Sequence, residues 1–269
     1  MQLKYSFDSG KPGKNILILG SIHGDEPCGS KAIEKLREDI LSLKISIQNG
    51  KITCIPYANF VAYKESKRQI TENLNRIFWS QKSGNIYDIA RGIEKEILEN
   101  DFILDLHSFS SGVEPFIFND YNTEELNAII RNIPIQYVMT GWVNLYEESG
   151  EMDTIGFAKK HGKPGITIEC GENTDPKSEK NAYDSIISVL KSSGNIRINS
   201  RKQAYEQIWI HVDTIIRKEK EGSFIREWKN FDPVKKWEQI WNYNWWESIQ
   251  APYDGIMIMP NSQVEIGWE

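Results

Sequence analysis

The sequence predicts an α/β fold, in which a mixed sheet is flanked by helices and a smaller β-rich segment follows. Short apolar runs alternate with amphipathic stretches over most of the first 195 residues, which is typical of a sheet covered by helices. After about residue 195, short runs rich in Ile, Val, Trp and Tyr are interrupted by Gly and Pro, which favours small β-structure. We therefore predict two domains, residues 1–195 and residues 196–269.

Each element of the larger domain is predicted from its own pattern. Residues 15–20 (NILILG) form an apolar run that ends in Gly, as expected of a strand buried on both faces. From Pro27 onward, apolar residues recur every three or four positions up to Leu43, which predicts an amphipathic helix. By the same criteria, further strands are predicted at residues 51–56, 101–107, 115–119, 136–140 and 165–170, and further helices at residues 85–99, 123–133, 152–161 and 178–192.

Composition excludes several classes of protein. Hydrophobic residues make up 39% and charged residues 26% of the chain, which excludes disorder, collagen and coiled coil. The formal net charge is −6, so we expect no nucleic-acid partner.

No apolar run approaches the ~20 residues that span a bilayer, and the polar N-terminus has no leader pattern, so we expect no membrane partner. The three cysteines are widely spaced and odd in number, which is no disulfide framework and favours a cytoplasmic location. Whether the chain forms a homo-oligomer stays open.

Two of the four histidines directly follow predicted strands. His23 and Glu26 lie three residues apart on the turn after the first strand, and His107 ends a later strand. Ligands of open α/β sheets lie beyond the carboxyl ends of the strands, and imidazole plus carboxylate suits a catalytic zinc ion. Asp105, two residues before His107, is a candidate to orient that ring. The alternative is that these residues are unrelated, since isolated His-x-x-Glu sequences mostly bind no metal.

Other polar residues could act on a substrate. Arg68 and Arg76 flank a polar loop in which Asn75 precedes Arg76, and an arginine fork suits a carboxylate. The alternative is a solvated basic loop. Glu169 ends an apolar strand, where it would be a suitable general base beside an activated water molecule, or else an ordinary surface carboxylate.

Taken in order, these motifs resemble the succinylglutamate desuccinylase/aspartoacylase family of zinc carboxypeptidase-like hydrolases. The motifs are His23-x-x-Glu26, Leu74-Asn75-Arg76-x-Phe78, Asp105-Leu-His107 and Glu169-x-Gly171, followed by a tail, residues 249–261, that looks like the C-terminal β domain of these deacylases.

The resemblance implies one zinc ion (Zn2+) per chain held by His23, Glu26 and His107. It also implies that Glu169 is the general base. Asn75 and Arg76 would bind the substrate carboxylate, and Arg68 would stabilise the oxyanion of the scissile carbonyl. The expected reaction is hydrolysis of the amide bond of an N-acyl amino acid.

Three departures from the family pattern concern the substrate rather than the metal. Asn73 stands where the family often has Asp, residues 59–62 read Asn-Phe-Val-Ala, and Cys-Gly-Glu follows Glu169. The acyl group and the amine therefore stay open. Two alternatives also stay open: a zinc carboxypeptidase that acts on a short peptide with a free carboxylate, and a non-catalytic zinc-binding recognition protein. The tryptophan-rich stretch at residues 228–246 would serve the latter, or simply pack a small β domain.

Overall fold

The computed structural model describes residues 3–110, 114–142, 151–197, 204–244 and 246–261. The chain divides into two compact units. The first comprises Met1–Ser110 and Pro115–Val212, and the second comprises Ser111–Glu114 and Asp213–Glu269. Residues 264–269 (VEIGWE), whose sequence predicts the start of a further strand, lie outside the described residues.

The first unit is built on an eight-stranded mixed sheet. Its strands are β1 (Tyr5–Asp8), β2 (Asn15–Gly20), β3 (Lys51–Ile55), β4 (Phe102–Phe109), β5 (Phe116–Phe118), β6 (Tyr137–Thr140), β7 (Gly165–Glu172) and β8 (Ile208–His211). Their order across the sheet is β1-β3-β2-β4-β7-β5-β6-β8. Neighbouring strands are parallel except β1 against β3 and β5 against β7. The mixed sheet that the sequence predicts is therefore confirmed.

Helices cover both faces of this sheet. They are α1 (Cys28–Leu41), α2 (Phe60–Lys64), α3 (Asn85–Glu99), α4 (Glu124–Ile130), α5 (Thr154–Lys160) and α6 (Pro176–Ser192), with a 3-10 turn at Leu74–Arg76. Because successive side chains of a strand point to opposite faces, β2 contributes Ile16 and Ile18 to one core and Leu17 and Leu19 to the other. The first core packs against α1, α4 and α6, and the second against α3 and α5.

The predicted elements occur close to their predicted bounds, with informative differences. Leu43 lies beyond the end of α1, with a positive φ of 62° and 82% of its surface exposed, because the chain turns there instead of continuing the helix. Strand β1 was not predicted, since an edge strand that buries only one side leaves a weak apolar signal.

The boundary between the units also differs from the prediction at residue 195. Strand β8 pairs in parallel with β6, with Trp209 opposite Val138. The first unit therefore extends to Val212. A strand that lies far along the chain from its partner gives no local sign of which sheet it joins.

The described part of the second unit consists of short strands and turns. Its strands are β9 (Ser223–Phe224), β10 (Pro233–Val234), β11 (Gln239–Asn244), β12 (Glu247–Gln250) and β13 (Gly255–Ile256). One antiparallel sheet has the order β12-β11-β9, and β10 pairs with β13. Trp228 and Trp241 are buried, whereas Trp237 and Trp246 are exposed. Packing thus accounts for two tryptophans of the stretch. Trp245 lies outside the described residues.

Across both units, no described helix has the length and apolarity that crossing a membrane requires.

Candidate metal centre and active site

The loop between β2 and α1, residues 21–27, carries the first two candidate ligands. It begins with Ser21, which is fully buried and has a positive φ of 48°, a conformation that costs free energy in a non-glycine residue. The Ser21 hydroxyl donates to the carbonyl oxygen of Glu26 at 3.2 Å, and the Glu26 amide donates to the carbonyl oxygen of His23 at 3.3 Å. The loop is therefore held in a tight turn at the carboxyl edge of the sheet.

Gly24 lets this loop lie directly against helix α2. A Cβ atom at Gly24 would be 2.1 Å from the backbone carbon of Ala62 and 2.3 Å from the backbone nitrogen of Tyr63, so no other residue fits without movement of the backbone. The Gly24 amide also donates to the carbonyl oxygen of Arg68 at 3.1 Å. This contact places the segment after α2 beside the β2–α1 loop.

His23, Glu26 and His107 lie together in a buried cluster. One ligand atom from each residue falls within 4.8 Å of the others, and all three residues are at most 3% exposed. The Nδ1 atoms of His23 and His107 lie 2.8 Å from Glu26 Oε1 and Oε2, respectively. Residues up to 84 positions apart in the chain therefore present two imidazole nitrogens and a carboxylate to one point.

The electrostatics of this cluster differ between its two histidines. Burial and the Arg68 charge lower the pKa of His23 to about 4, despite the nearby Glu26 carboxylate. Burial disfavours the charged form of His107 too, but Asp105 and Glu26 outweigh it and raise the pKa of this ring well above its ordinary value. Burial opposes ionisation of Glu26 as well, yet the two imidazoles hold its pKa well below the ordinary value. The carboxylate is thus the stable form of Glu26.

Both histidines have a polar partner behind the ring. His23 Nε2 lies 3.0 Å from the buried Asn73 Oδ1, and His107 Nε2 lies 3.1 Å from Asp105 Oδ2. Asp105 therefore takes the place that the sequence predicts for it. The contact of Asn73 with His23 was not predicted, because the two residues are 50 positions apart.

Glu169 lies beside His107 on the adjacent strand. Strands β4 and β7 are parallel, and their register places Glu169 directly opposite His107. Glu169 is 7% exposed, and its Oε2 has no hydrogen-bond partner in the described part of the chain. Burial raises the pKa of Glu169 to about 8, with the Glu26 charge adding to the effect and His107 and Arg68 opposing it. A carboxyl group with this pKa gains and loses a proton close to neutral pH.

Arg68 contacts the cluster directly. Its Nη1 donates to Glu26 Oε1 at 2.8 Å, while about half of the side chain is exposed. The guanidinium group therefore lies between the buried cluster and solvent, where it can also reach a bound molecule.

Asn75 and Arg76 lie on the 3-10 turn next to Asn73. Asn75 is 8% exposed, and its Oδ1 accepts a hydrogen bond from the Thr154 amide at 3.2 Å. Arg76 Nη1 donates to the Asn75 carbonyl oxygen at 2.9 Å, and Arg76 Nε lies 3.9 Å from Glu151 Oε2. The structure therefore joins this turn to the cluster through Asn73.

The other two histidines lie elsewhere. His161 follows α5, where its Nδ1 lies 2.9 Å from the Phe157 carbonyl oxygen. His211, on β8, lies 3.2 Å from the Thr140 hydroxyl. Neither belongs to the candidate metal group among the described residues.

A cleft of about 540 Å³ adjoins the β2–α1 loop. It is lined by residues of that loop, the end of α2 and the segments after His107 and Glu169, among them Gly24, Tyr63, Lys64, Ser110 and Asn173. Clefts of this volume accommodate small molecules. The cleft therefore lies beside Gly24 and Asp25, the two residues between His23 and Glu26 in the chain.

The donor set fits a zinc ion. Two imidazole nitrogens and one carboxylate are a common set of protein ligands at catalytic zinc sites, which keep a further position open. The partners Asn73 and Asp105 would hold the outer ring nitrogens, as polar groups commonly do behind metal-binding histidines. The group His23, Glu26 and His107 could therefore hold a metal ion.

Comparison with protein families identifies the chain. Residues 12–188 match the family model described as the succinylglutamate desuccinylase/aspartoacylase catalytic domain. The chain therefore belongs to this family, whose members are deacylase hydrolases, and the resemblance drawn from its motifs is confirmed. Apart from residues 111–114, which belong to the second unit, the matched residues lie within the first unit.

Solved structures share the fold. A succinylglutamate desuccinylase from Vibrio cholerae is 20% identical and has a TM-score of 0.79, with 98% of this chain and 83% of that chain covered. The ectoine utilization protein EutE (DoeB) from Ruegeria pomeroyi, in a product-bound structure, is 20% identical with a TM-score of 0.74, over 95% of this chain and 82% of that chain. A succinylglutamate desuccinylase/aspartoacylase from Rhodobacter sphaeroides is 19% identical with a TM-score of 0.72, over 91% and 80%. Comparison with curated proteins finds no match.

Proposed function

We propose that this chain is a zinc-dependent hydrolase that cleaves the amide bond of an N-acyl amino acid. The observation that carries the proposal is the convergence of His23, Glu26 and His107 within 4.8 Å, with the buried Glu169 opposite His107 on the adjacent strand. Two imidazoles, one carboxylate and a separate carboxyl group are the parts that metal-assisted hydrolysis requires.

His23, Glu26 and His107 would hold the zinc ion, each through the atom that faces the shared centre. When bound, zinc supplies a Lewis acid that lowers the pKa of water and polarises an amide carbonyl. The burial of all three ligands supports this assignment, because a low-dielectric site strengthens the interactions between charges.

Glu169 would be the general base and then the general acid. In its ionised form, a carboxyl group with a pKa raised to about 8 would be a strong base for the proton of the attacking water, and it could then deliver that proton to the leaving amine. Its Oε2, which has no hydrogen-bond partner among the residues that the structure describes, supports this role, because such an atom is available to the reactants.

Arg68, Asn75 and Arg76 would act on the substrate. The Arg68 guanidinium, which reaches Glu26 at 2.8 Å, would donate hydrogen bonds to the carbonyl oxygen as negative charge develops there. Asn75 and Arg76 would bind the substrate carboxylate, because a guanidinium group and an adjacent amide offer parallel donors. Their anchoring would select which amide bond faces Glu169.

The comparisons support the deacylase reaction over other hydrolyses. Two of the similar structures are named as desuccinylases or aspartoacylases, and another is a product-bound ectoine utilization protein. The departures at residues 59–62, at Asn73 and after Glu169 lie where they could alter the shape of the substrate site. The proposal therefore extends to the class of N-acyl amino acids and names no single member.

A substrate screen of the zinc-loaded protein tests this proposal. The panel contains N-acetyl and N-succinyl amino acids and short peptides with free carboxylates, and the released amine is measured. We expect hydrolysis of at least one N-acyl amino acid, and a loss of about a hundredfold or more in Glu169→Gln with zinc still bound.

The other outcomes are equally informative. Hydrolysis of peptides alone would indicate a carboxypeptidase, and zinc binding without hydrolysis of any compound would indicate a recognition protein. Full activity of Glu169→Gln would remove Glu169 from the reaction.

A further inference from the structure

Asn73 joins a candidate metal ligand to the turn that carries Asn75. Its Oδ1 lies 3.0 Å from His23 Nε2 and accepts a hydrogen bond from the Asn75 amide at 2.9 Å. Asn73 is 5% exposed and Asn75 is 8% exposed. One buried amide oxygen therefore fixes the ring of His23 and the start of the 3-10 turn together.

Thr154 makes the corresponding connection on the side of His107. It is the first residue of α5 and is fully buried. Its amide donates to Asn75 Oδ1 at 3.2 Å, and its hydroxyl donates to Asp105 Oδ2. The same Asp105 oxygen lies 3.1 Å from His107 Nε2.

These contacts form a closed ring of polar groups. Starting from the Glu26 carboxylate, they run through His23, Asn73, Asn75, Thr154, Asp105 and His107 and return to Glu26. All seven residues are buried. Because buried polar groups that lose a partner are costly, movement of one member displaces the next.

We propose that Thr154 and Asn73 are positioning residues that hold the outer nitrogens of His107 and His23 and couple the metal centre to Asn75. This inference rests on the proposed function, since it takes the triad as the zinc site and Asn75 as a substrate-binding residue. Neither residue belongs to the candidate metal group or to the substrate-binding residues proposed above. Thr154 acts through Asp105, because its hydroxyl donates a hydrogen bond to the Asp105 carboxylate. Asn73 acts through its side-chain oxygen Oδ1, which contacts both the His23 ring and the Asn75 amide.

The two residues differ in what a side-chain substitution removes. Thr154→Val deletes the hydroxyl bond to Asp105 but keeps the backbone amide that holds Asn75. Asn73→Ala deletes the acceptor for His23 and for the Asn75 amide at once. We therefore expect the threonine variant to affect metal affinity alone, and the asparagine variant to affect metal affinity and substrate binding together.

Zinc affinity, measured by competition with a chromophoric chelator, tests the inference without an activity assay. We expect Thr154→Val to weaken zinc binding by about tenfold or more, in the range found for partners of metal ligands, and Thr154→Ser to restore it. Thr53→Val is the matched control, because Thr53 is also fully buried and its hydroxyl has no partner within the described ranges. Its zinc affinity should equal that of the wild type.

The kinetic readout separates the two positions. For a substrate found in the screen above, Thr154→Val should leave KM within about twofold of the wild type, whereas Asn73→Ala should raise KM and weaken zinc binding, each by about tenfold. Asn73→Asp, which keeps an acceptor oxygen, should restore both.

Several results would overturn the inference. They are an unchanged zinc affinity in Thr154→Val, an equal loss in Thr53→Val, no recovery in Thr154→Ser, or an Asn73→Ala variant that changes only one of the two quantities. A wild-type protein that binds no zinc would instead overturn the proposed function, and this inference with it.

Discussion

At the scale of single residues, Glu169 and His107 show how burial and charge act against each other. Both side chains are nearly inaccessible to solvent and lie opposite each other on adjacent strands. His107 has two carboxylates within 3.1 Å, so attraction exceeds the cost of burial and favours its charged form. Within the described segments of the chain, Glu169 Oε2 has no hydrogen-bond partner, so burial dominates and favours the neutral form of this carboxyl group.

The stability of the metal-free protein should reflect the buried Glu169. Its pKa is about 8 in the folded chain against an ordinary 4.5, so between these values the folded state binds a proton that the unfolded state has released. The free energy of unfolding therefore falls as pH rises through this window. Glu169→Gln removes this penalty, so its stability relative to the wild type should increase from about pH 5 to about pH 8 and then level off.

Urea unfolding in the presence of a chelator, at several pH values, measures this difference. Glu172→Gln, at the end of the same strand, controls for the substitution itself. A difference between Glu169→Gln and wild type that does not vary with pH would contradict the account of Glu169 as a buried, neutral carboxylic acid.

At the scale of elements, the site depends on how three parallel strands end. Strands β2, β4 and β7 are consecutive in the sheet. His23 and Glu26 follow the end of β2, and His107 and Glu169 lie near the ends of β4 and β7. The β2–α1 loop is then fixed against helix α2, because Gly24 permits an approach that any side chain would block. Sheet register and one close backbone contact thus set the geometry of the cluster.

Gly24→Ala tests the importance of this contact. The new Cβ would meet the backbone of Ala62 and Tyr63, so the loop must shift and carry His23 and Glu26 with it. We expect a loss of about 1–3 kcal/mol in the free energy of unfolding and weaker zinc binding. Gly255→Ala is the matched control, since the nearest atom there is Val234 Cγ1 at 3.9 Å. Equal behaviour of the two variants in unfolding and zinc titrations would contradict the role of the contact.

The elements also show what the sequence can and cannot predict. Strands such as β2 and β4 are predictable because they are apolar throughout, and polar residues at their ends stand out as site candidates. Strand β8 lies in the segment that the sequence predicts to be β-rich, but its place in the large sheet is not predictable, since its partner β6 lies some 70 residues earlier. Asn73 and Thr154 carry no local signal, because their importance lies in contacts with residues 50 and 49 positions away.

At the scale of the whole molecule, the candidate site belongs to one unit of the chain. The triad, Glu169, Arg68 and the Asn75–Arg76 turn all lie in the first unit, which also contains the family match at residues 12–188 except for residues 111–114. The second unit has its own small core around Trp228, Val234 and Ile240. The chemistry proposed above therefore requires only residues of the first unit, and zinc binding should follow from its fold.

The zinc content of the purified full-length chain tests the central claim most directly. After zinc loading and removal of excess metal, elemental analysis of the wild type should give about one zinc ion per chain. His107→Ala should retain little zinc, whereas His161→Ala, the same substitution outside the cluster, should retain the full amount. A wild type that holds no zinc, or a His107→Ala variant that keeps a full equivalent, would contradict the account.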